Sequence, residues 1–136
     1  MVKKIIYFNI AILIGLLILP ACQKSPINGD LDGRWQIMEI ERNGEVKEVK
    51  EDQLYYNFYM HVCNLSSYGE INPEANFNFE NNTIELSFPY VNTETGMRRL
   101  NLFGIYSNPV EFEVLYLDKK KLIMENDECL LTLRKF

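Results

Sequence analysis

The chain has 136 residues, 14 of them Lys or Arg, 19 Asp or Glu, one His and three Cys, for a formal net charge of −5. This length suits a single domain, and the lone histidine and scattered cysteines exclude most metal sites. From Cys22 onward 12 basic residues oppose 19 acidic ones, a balance of −7, and an acidic chain without a basic stripe argues against nucleic acid as a partner and against electrostatic docking to anionic lipid.

The first 21 residues have the composition of a targeting signal. Lys3 and Lys4 form a short positive region, and an almost unbroken apolar run follows from Ile5 to Leu19. That run is shorter than the roughly 20 apolar residues that a membrane-spanning helix needs. We therefore predict a signal peptide over residues 1–21.

This signal ends in Leu19-Pro20-Ala21-Cys22, which resembles the lipobox of bacterial lipoproteins. The resemblance implies that Cys22 is the lipid attachment site, becomes the first residue on cleavage and carries several acyl chains such as palmitate, which together anchor a protein to a membrane. An ordinary secretory signal cleaved after Ala21 is the alternative.

The residues after Cys22 bear on localisation. Gln23, in place of an Asp, favours the outer membrane of the cell envelope, and the lack of an acidic run favours a periplasm-facing protein over a surface one. Residues 22–30 contain little to bury and are predicted to be a tether. The folded domain is predicted over residues 31–136.

The first predicted strand is Arg34 to Arg42. Trp35 and Ile37 share one face, whereas Met38 and Ile40 share the other, and this switch of parity predicts a β-bulge or a sharp bend. Asn43-Gly44 predicts a tight hairpin turn, because both residues tolerate positive φ. The charged stretch that follows, Glu45 to Asp52, is predicted to be an exposed return or loop.

A second long strand is predicted from Leu54 to Cys63. If Tyr56 and Phe58 face inward, the side chains that face outward are Tyr55, Tyr59, His61 and Cys63. Such an outer tyrosine stripe is either a partner-binding surface or a set of cross-strand pairs.

Six further strands are predicted after Cys63. Two meet at Asn81-Asn82, a fifth strand contains Leu100 and Leu102, and the last three are centred on Phe112, Met124 and Leu131. No segment of ten or more residues has a helical period. The chain is therefore predicted to be all-β, an antiparallel up-and-down β-barrel of about eight strands, with a two-sheet sandwich as the alternative.

A family resemblance lies in the first strand. Gly33-Arg34-Trp35 looks like the Gly-x-Trp motif that opens the lipocalin barrel, and the chain ends in Leu131-Thr132-Leu133-Arg134-Lys135-Phe136. Together with the lipobox, these features resemble the short lipocalin-like lipoproteins of Gram-negative bacteria. The resemblance implies that Trp35 plugs the closed end, that Arg134 packs across it, and that the protein is a binding or scaffolding module.

Eight aromatic side chains are predicted to line the interior: Tyr56, Phe58, Phe77, Phe79, Phe88, Tyr90, Phe112 and Tyr116. They either cradle a small hydrophobic ligand or fill the barrel as its core. The leading hypothesis is a lipid-anchored monomer that binds a small hydrophobic molecule. The alternative is an accessory protein that binds a partner protein by its outer surface around a solid-packed barrel, and a weaker reading is an inhibitor of an envelope enzyme.

No catalytic constellation is visible. His61 is the single histidine, and Glu111 and Glu113 alternate as solvent-facing strand residues normally do. We therefore expect no enzyme activity, no cofactor and no metal site. In a closed meander Cys63 and Cys129 would lie roughly 10 Å apart, which exceeds the span of a disulfide, so unpaired thiols are favoured over a bond.

Overall fold

The computed structural model describes residues 27–68 and 70–136, and only the backbone of Ile71. The predicted signal peptide, Cys22 and most of the predicted tether lie outside these residues. The described part contains nine antiparallel strands: β1 (Gly33–Arg42), β2 (Glu45–Glu48), β3 (Leu54–Tyr59), β4 (Val62–Ser67), β5 (Glu70–Glu80), β6 (Thr83–Ser87), β7 (Val110–Leu117), β8 (Lys121–Glu125) and β9 (Leu130–Lys135). It also contains one α-helix, α1 (Glu94–Leu102), and two short 3-10 turns, Gly29–Leu31 and Lys50–Asp52.

The sheet closes into a barrel because β1 pairs with β9, while the other neighbours follow chain order. The short strand β2 is the exception. It pairs with residues 39–42 of β1, whereas β3 pairs with residues 33–36 along the same edge. Eight strands therefore form the wall, β2 is an exposed flap, and the predicted up-and-down barrel is confirmed.

The local signals in the first hairpins are also confirmed. The register between β1 and β9 shifts between Ile37 and Glu39, which makes Met38 the bulged residue. Asn43 and Gly44 have φ of 56° and 78°, and Asn81 and Asn82 have φ of 51° and 59°. Two successive residues with positive φ are what a type I′ hairpin requires.

The prediction of one strand from Leu54 to Cys63 is wrong. The strand β3 ends at Tyr59, and Met60, with φ of 54°, begins a turn that leads into β4. Because Cys63 belongs to a new strand, it faces the core and is fully buried rather than exposed.

The predicted fifth strand at Leu100 and Leu102 is also wrong, since these residues lie in α1. The Thr93 side chain caps this helix by accepting a hydrogen bond from the Gly96 N–H at 3.1 Å, and Glu94 pairs with Arg98 at 2.7 Å. The predicted number of eight barrel strands is nevertheless confirmed. The segment predicted as one strand from Leu54 to Cys63 contributes to two, β3 and β4, and this compensates for the predicted strand at Leu100 and Leu102.

One apolar core fills the barrel. Tyr56 lies near its centre, with ring centroids 5.9 Å from Phe58, 6.2 Å from Phe103 and 6.3 Å from Phe112. These four side chains and Trp35 are at most 1% exposed. Side chains rather than open space therefore occupy the middle of the barrel.

Candidate functional site

The end of the barrel where β1 begins is closed by Trp35. Its indole Nε1 donates to the Leu31 carbonyl at 2.8 Å, and the Lys135 Nζ lies 4.4 Å from the ring centroid. The same Nζ donates to the carbonyls of Asp30, at 3.0 Å, and Asp32. Desolvation lowers the pKa of Lys135. We call this the closed end.

The side chain over Trp35 is thus Lys135, and the expectation for Arg134 needs correction. Side chains alternate along a strand, so Arg134 points to the outer face, where its guanidinium donates to Gln36 Oε1 at 2.9 and 3.1 Å. Gly33 has φ of +125°, and a Cβ there would lie 2.8 Å from Lys135 Cε. The glycine of the motif therefore leaves room for the lysine.

Five of the eight predicted lining aromatics are buried in the core: Tyr56, Phe58, Phe77, Phe88 and Phe112. Phe79 is half-buried at its edge. Tyr90 and Tyr116 do not line the interior, being 89% and 47% exposed. Tyr90 lies beyond the end of β6, and a register shift between Val114 and Tyr116 turns the latter outward.

The predicted outer tyrosine stripe does not form. Tyr55 is only 7% exposed, because Arg34 lies 4.0 Å above its ring and the Phe136 ring packs edge-on at 5.1 Å. Tyr59 and His61 are exposed, whereas Cys63 is buried. The four side chains of the predicted stripe therefore do not share one exposed surface.

The opposite end of the barrel, which we call the open end, is covered by α1 and the residues that follow it. The side chains of Leu100, Phe103 and Ile105 are fully buried there. Tyr56 donates its hydroxyl hydrogen to the Phe103 carbonyl at 2.6 Å. Asn108 fixes the base of the connection through hydrogen bonds to both backbone groups of Phe88 at 2.9 Å.

Gly104 also packs closely against the wall. Its carbonyl accepts hydrogen bonds from Asn126 Nδ2 at 2.8 Å and from Cys129 Sγ at 3.1 Å. At its φ of +78°, a Cβ would lie 2.8 Å from Leu131 Cδ2 and 2.9 Å from Cys129 Sγ. Only glycine fits this position without displacing its neighbours.

Both described cysteines are free and buried, in agreement with the preference for unpaired thiols. Burial raises the pKa of Cys63 far above its ordinary value, and burial raises the pKa of Cys129 to about 11. Both thiols are therefore protonated at neutral pH, and a protonated thiol is a poor nucleophile.

A cavity of about 560 Å³ lies at the open end, between the β1–β2 hairpin, the start of β3 and the end of α1. We call it the mouth pocket, and its lining residues are Ile40, Arg42, Asn43, Glu45, Lys47, Val49, Asp52, Leu54, Ser67, Tyr68, Asn101, Leu102 and Tyr106. The Arg42 guanidinium lies 3.9 Å above the Tyr106 ring and 3.4 Å from Glu128. An apolar wall with a charged rim suits an amphipathic small molecule.

None of the eight predicted lining aromatics contacts the mouth pocket. Two signals for the pocket were present in the sequence. The switch of parity between Ile37 and Met38 changes the face on which Ile40 lies, and Val46 and Val49 are the two apolar residues in the charged stretch from Glu45 to Asp52. The position of Leu102 could not be derived, because it depends on α1.

A second cavity, of about 690 Å³, is a groove on the outer wall over β6, β7 and β8. Its acidic side chains are Glu85, Glu111, Glu113, Glu125, Asp127 and Glu128. Two glutamate pairs face each other directly across strands, Glu85 with Glu111 and Glu113 with Glu125. Even so, no group of three His, Cys, Asp or Glu side chains within residues 27–68 and 70–136 is arranged to hold a metal ion.

The helix of the described chain is too short and too polar to cross a membrane. An eight-stranded meander sealed by a tryptophan and covered by one short helix defines the class as a small lipocalin-type barrel. A family model described as a lipocalin-like domain matches residues 16–136. The chain therefore belongs to the lipocalin-like domain family.

Two solved structures from Bacteroides support this fold. A lipocalin-like protein from Bacteroides uniformis is 23% identical, with a TM-score of 0.67 over 79% of this chain and 100% of that one. An uncharacterized protein from Bacteroides eggerthii is 19% identical, with a TM-score of 0.62 over 77% of this chain and 98% of that one. No curated protein matches the sequence.

Proposed function

We propose that this chain is a non-catalytic, lipid-anchored protein of the cell envelope whose barrel binds a small hydrophobic molecule in the mouth pocket. The proposal of ligand binding rests on the mouth pocket. Its volume of about 560 Å³ falls within the usual range of small-molecule sites, about 300–1,000 Å³. The packed aromatic core below it leaves the open end as the place for a ligand.

The lining of the pocket indicates the class of ligand. Ile40, Val49 and Leu54 line the pocket with apolar side chains, and its charged lining residues are the cations Arg42 and Lys47 and the carboxylates Glu45 and Asp52. A molecule with an apolar body and one anionic group would place the body against the aliphatic side chains and the charge near these cations.

Binding can be tested with the amphipathic dye 1-anilinonaphthalene-8-sulfonate. The variant Leu102→Trp adds bulk inside the pocket at a half-exposed helix position, and Leu115→Trp adds the same bulk on the outer wall. We expect the wild type to bind the dye, Leu102→Trp to weaken binding at least tenfold, and Leu115→Trp to leave it unchanged. Equal affinities in all three proteins would contradict the pocket assignment.

Lipid anchoring rests on the lipobox at residues 19–22, which lies outside the described residues. In a Gram-negative host, Cys22→Ala should move the protein from the membrane to the soluble envelope fraction and abolish incorporation of labelled palmitate. Protease treatment of intact cells should spare the wild type, because a periplasm-facing orientation is proposed. Unchanged membrane partitioning of Cys22→Ala would refute lipidation.

The packed interior favours a second candidate, in which a partner protein binds the outer surface. The acidic groove is the surface that suits a basic partner. If this candidate is right, charge reversal at Glu111 and Glu113 should abolish binding of the basic partner and leave dye binding unchanged. If instead Leu102→Trp loses only the small ligand, the first candidate is favoured.

A further inference from the structure

The closed end of the barrel differs from the remainder in charge. Six of the 11 Lys and Arg residues in the described chain lie at this end: Arg34, Lys119, Lys120, Lys121, Arg134 and Lys135. Only four of its 19 acidic residues do: Asp30, Asp32, Glu80 and Asp118. The rest of the described chain has five basic residues against 15 acidic ones, so the acidic total conceals a basic end.

The six basic residues come from three segments of the chain, which the barrel brings side by side. Lys121 on β8 lies directly opposite Arg134 on β9, and the Lys135 N–H donates to the Lys120 carbonyl at 2.8 Å. The Phe136 N–H donates to the Arg34 carbonyl at 2.8 Å, which joins β9 to β1. The lysine run 119–121 is visible in the sequence, but its approach to Arg34, Arg134 and Lys135 depends on closure of the barrel.

Large apolar side chains are exposed at the same end. Ile27, Tyr59, Met60 and Phe136 are 60%, 71%, 47% and 65% exposed. Asn28 Nδ2 donates to the Met60 carbonyl at 2.9 Å, so the start of the described chain lies against the β3–β4 turn. These residues and the six cations are called the closed-end face. Lys and Arg beside exposed aromatic residues are typical of surfaces that meet a membrane interface.

The course of the chain brings a membrane anchor to this face. Five peptide steps separate Cys22 from Ile27, and five fully extended residues span at most ~18 Å. The ten residues of β1 would span roughly 33 Å along the wall. A lipid on Cys22 would therefore hold the closed end, not the open end, nearest to the bilayer.

We propose that the closed-end face docks onto a bilayer of anionic phospholipid. The exposed Lys119, Lys120 and Lys121 and the two arginines would meet the phosphate groups, while Phe136, Tyr59 and Ile27 would enter the interface between headgroups and acyl chains. This inference rests on the proposed lipid anchor. It directs the mouth pocket away from the membrane.

The test uses the full chain, isolated with its lipid from a Gram-negative host and reconstituted in vesicles of phosphatidylethanolamine and phosphatidylglycerol with brominated acyl chains. Trp35 is the single tryptophan and is fully buried, so the quenching of wild-type fluorescence gives the background to subtract. Phe136→Trp places an indole on the closed-end face, and Tyr90→Trp places one at the opposite end. We expect bromine to quench the first at least twofold more than the second.

Charge variants in the Phe136→Trp background test the electrostatic part. Replacing Lys119, Lys120 and Lys121 by Gln should lower the docked-to-free ratio about fivefold for each lysine. The matched control replaces Arg98 and Arg99, exposed cations on α1, by Gln, and should change nothing. Equal quenching in vesicles of phosphatidylcholine alone would overturn the role of anionic lipid.

The remaining outcomes separate the docking from the anchor. If the protein sediments with vesicles while both introduced indoles stay unquenched, the anchor stands and the docking is wrong. If wild type does not associate with vesicles at all, the proposed anchor fails and the inference with it. Iodide quenching of Phe136→Trp without vesicles tests for self-association. If quenching by aqueous iodide weakens as the protein concentration rises, a second copy of the chain covers this face, and the assignment to lipid is overturned.

Discussion

The two ends of this barrel are sealed in different ways. At the closed end the strands converge on Trp35, which the wall itself surrounds and to which Lys135 and the Leu31 carbonyl bind. At the open end a separate segment, α1 and residues 103–109, is inserted between β6 and β7 and is held by buried side chains such as Phe103 and by hydrogen bonds to the carbonyls of Phe103 and Gly104. The closed end should thus unfold only with the whole barrel, whereas the open end can detach locally.

Removing the closed-end plug should have the largest effect. Trp35→Ala leaves a cavity where a fully buried indole was and should lower the free energy of unfolding by about 4–5 kcal/mol. Urea unfolding followed by circular dichroism measures the loss. Trp35→Phe, which keeps an aromatic ring but removes the hydrogen bond to Leu31, should cost about 1–2 kcal/mol. If both variants lost less than 1 kcal/mol, the closed end would not depend on this residue.

Removing the open-end plug should cost less. Phe103→Ala empties a fully buried site and should cost about 3 kcal/mol, at the low end for this change because the connection can collapse. Hydrogen exchange distinguishes the two ends: amides of α1 should exchange faster in this variant, whereas those of β1 and β9 should do so only through global unfolding. Equal acceleration in α1 and β1 would show that the ends are not independent.

The same difference explains which parts of the fold were predictable. Wall strands such as β1 and β7 bury every second residue, so their alternation is visible in the sequence, and Asn43-Gly44 and Asn81-Asn82 mark turns by local chemistry alone. The helix α1 has nine residues, buries only Leu100 and packs only Met97 beside it, so its apolar face is too short to be distinguished from the alternation of Leu100 and Leu102 that predicts a strand.

The candidate site was predictable only in part. Trp35 follows from a local motif, and its partner Lys135 could have been derived as well, because it shares strand parity with the inward-facing Leu131 and Leu133. The mouth pocket and the closed-end face join residues from several distant strands. Such sets depend on closure of the barrel, which no local pattern encodes.

Tyr56 connects the core to the covering segment and provides a smaller, sharper test. Tyr56→Phe removes the hydroxyl that donates to the Phe103 carbonyl at 2.6 Å and leaves that buried carbonyl without this donor. The expected loss is about 1–2 kcal/mol, with faster exchange in residues 100–105. Tyr55→Phe is the matched control, since the Tyr55 hydroxyl makes no hydrogen bond to any described residue, and should lie within 0.5 kcal/mol of wild type. Identical losses of unfolding free energy in both variants would show that the hydrogen bond from Tyr56 does not hold the covering segment.

Alkaline pH should act on the open end through Cys129. Burial raises the pKa of this thiol from about 9 to about 11 in the folded protein. A raised folded-state pKa means that its contribution to stability is fully present below pH 9 and declines as the pH rises through 11, because the unfolded chain loses the proton first. The urea midpoint of wild type should therefore fall over this window.

The variant Cys129→Ala isolates this contribution. Burial also raises the pKa values of Cys63 and Tyr56, so the variant should keep part of the alkaline decline and show a shallower slope between pH 9 and 11. In wild type at pH 8, iodoacetamide should react with Cys129 only as the open end detaches, and Phe103→Ala should accelerate that reaction more than Trp35→Phe does. Equal rates of iodoacetamide reaction in Phe103→Ala and Trp35→Phe would mean that Cys129 becomes accessible by another route. The open end would then not detach more readily than the closed end.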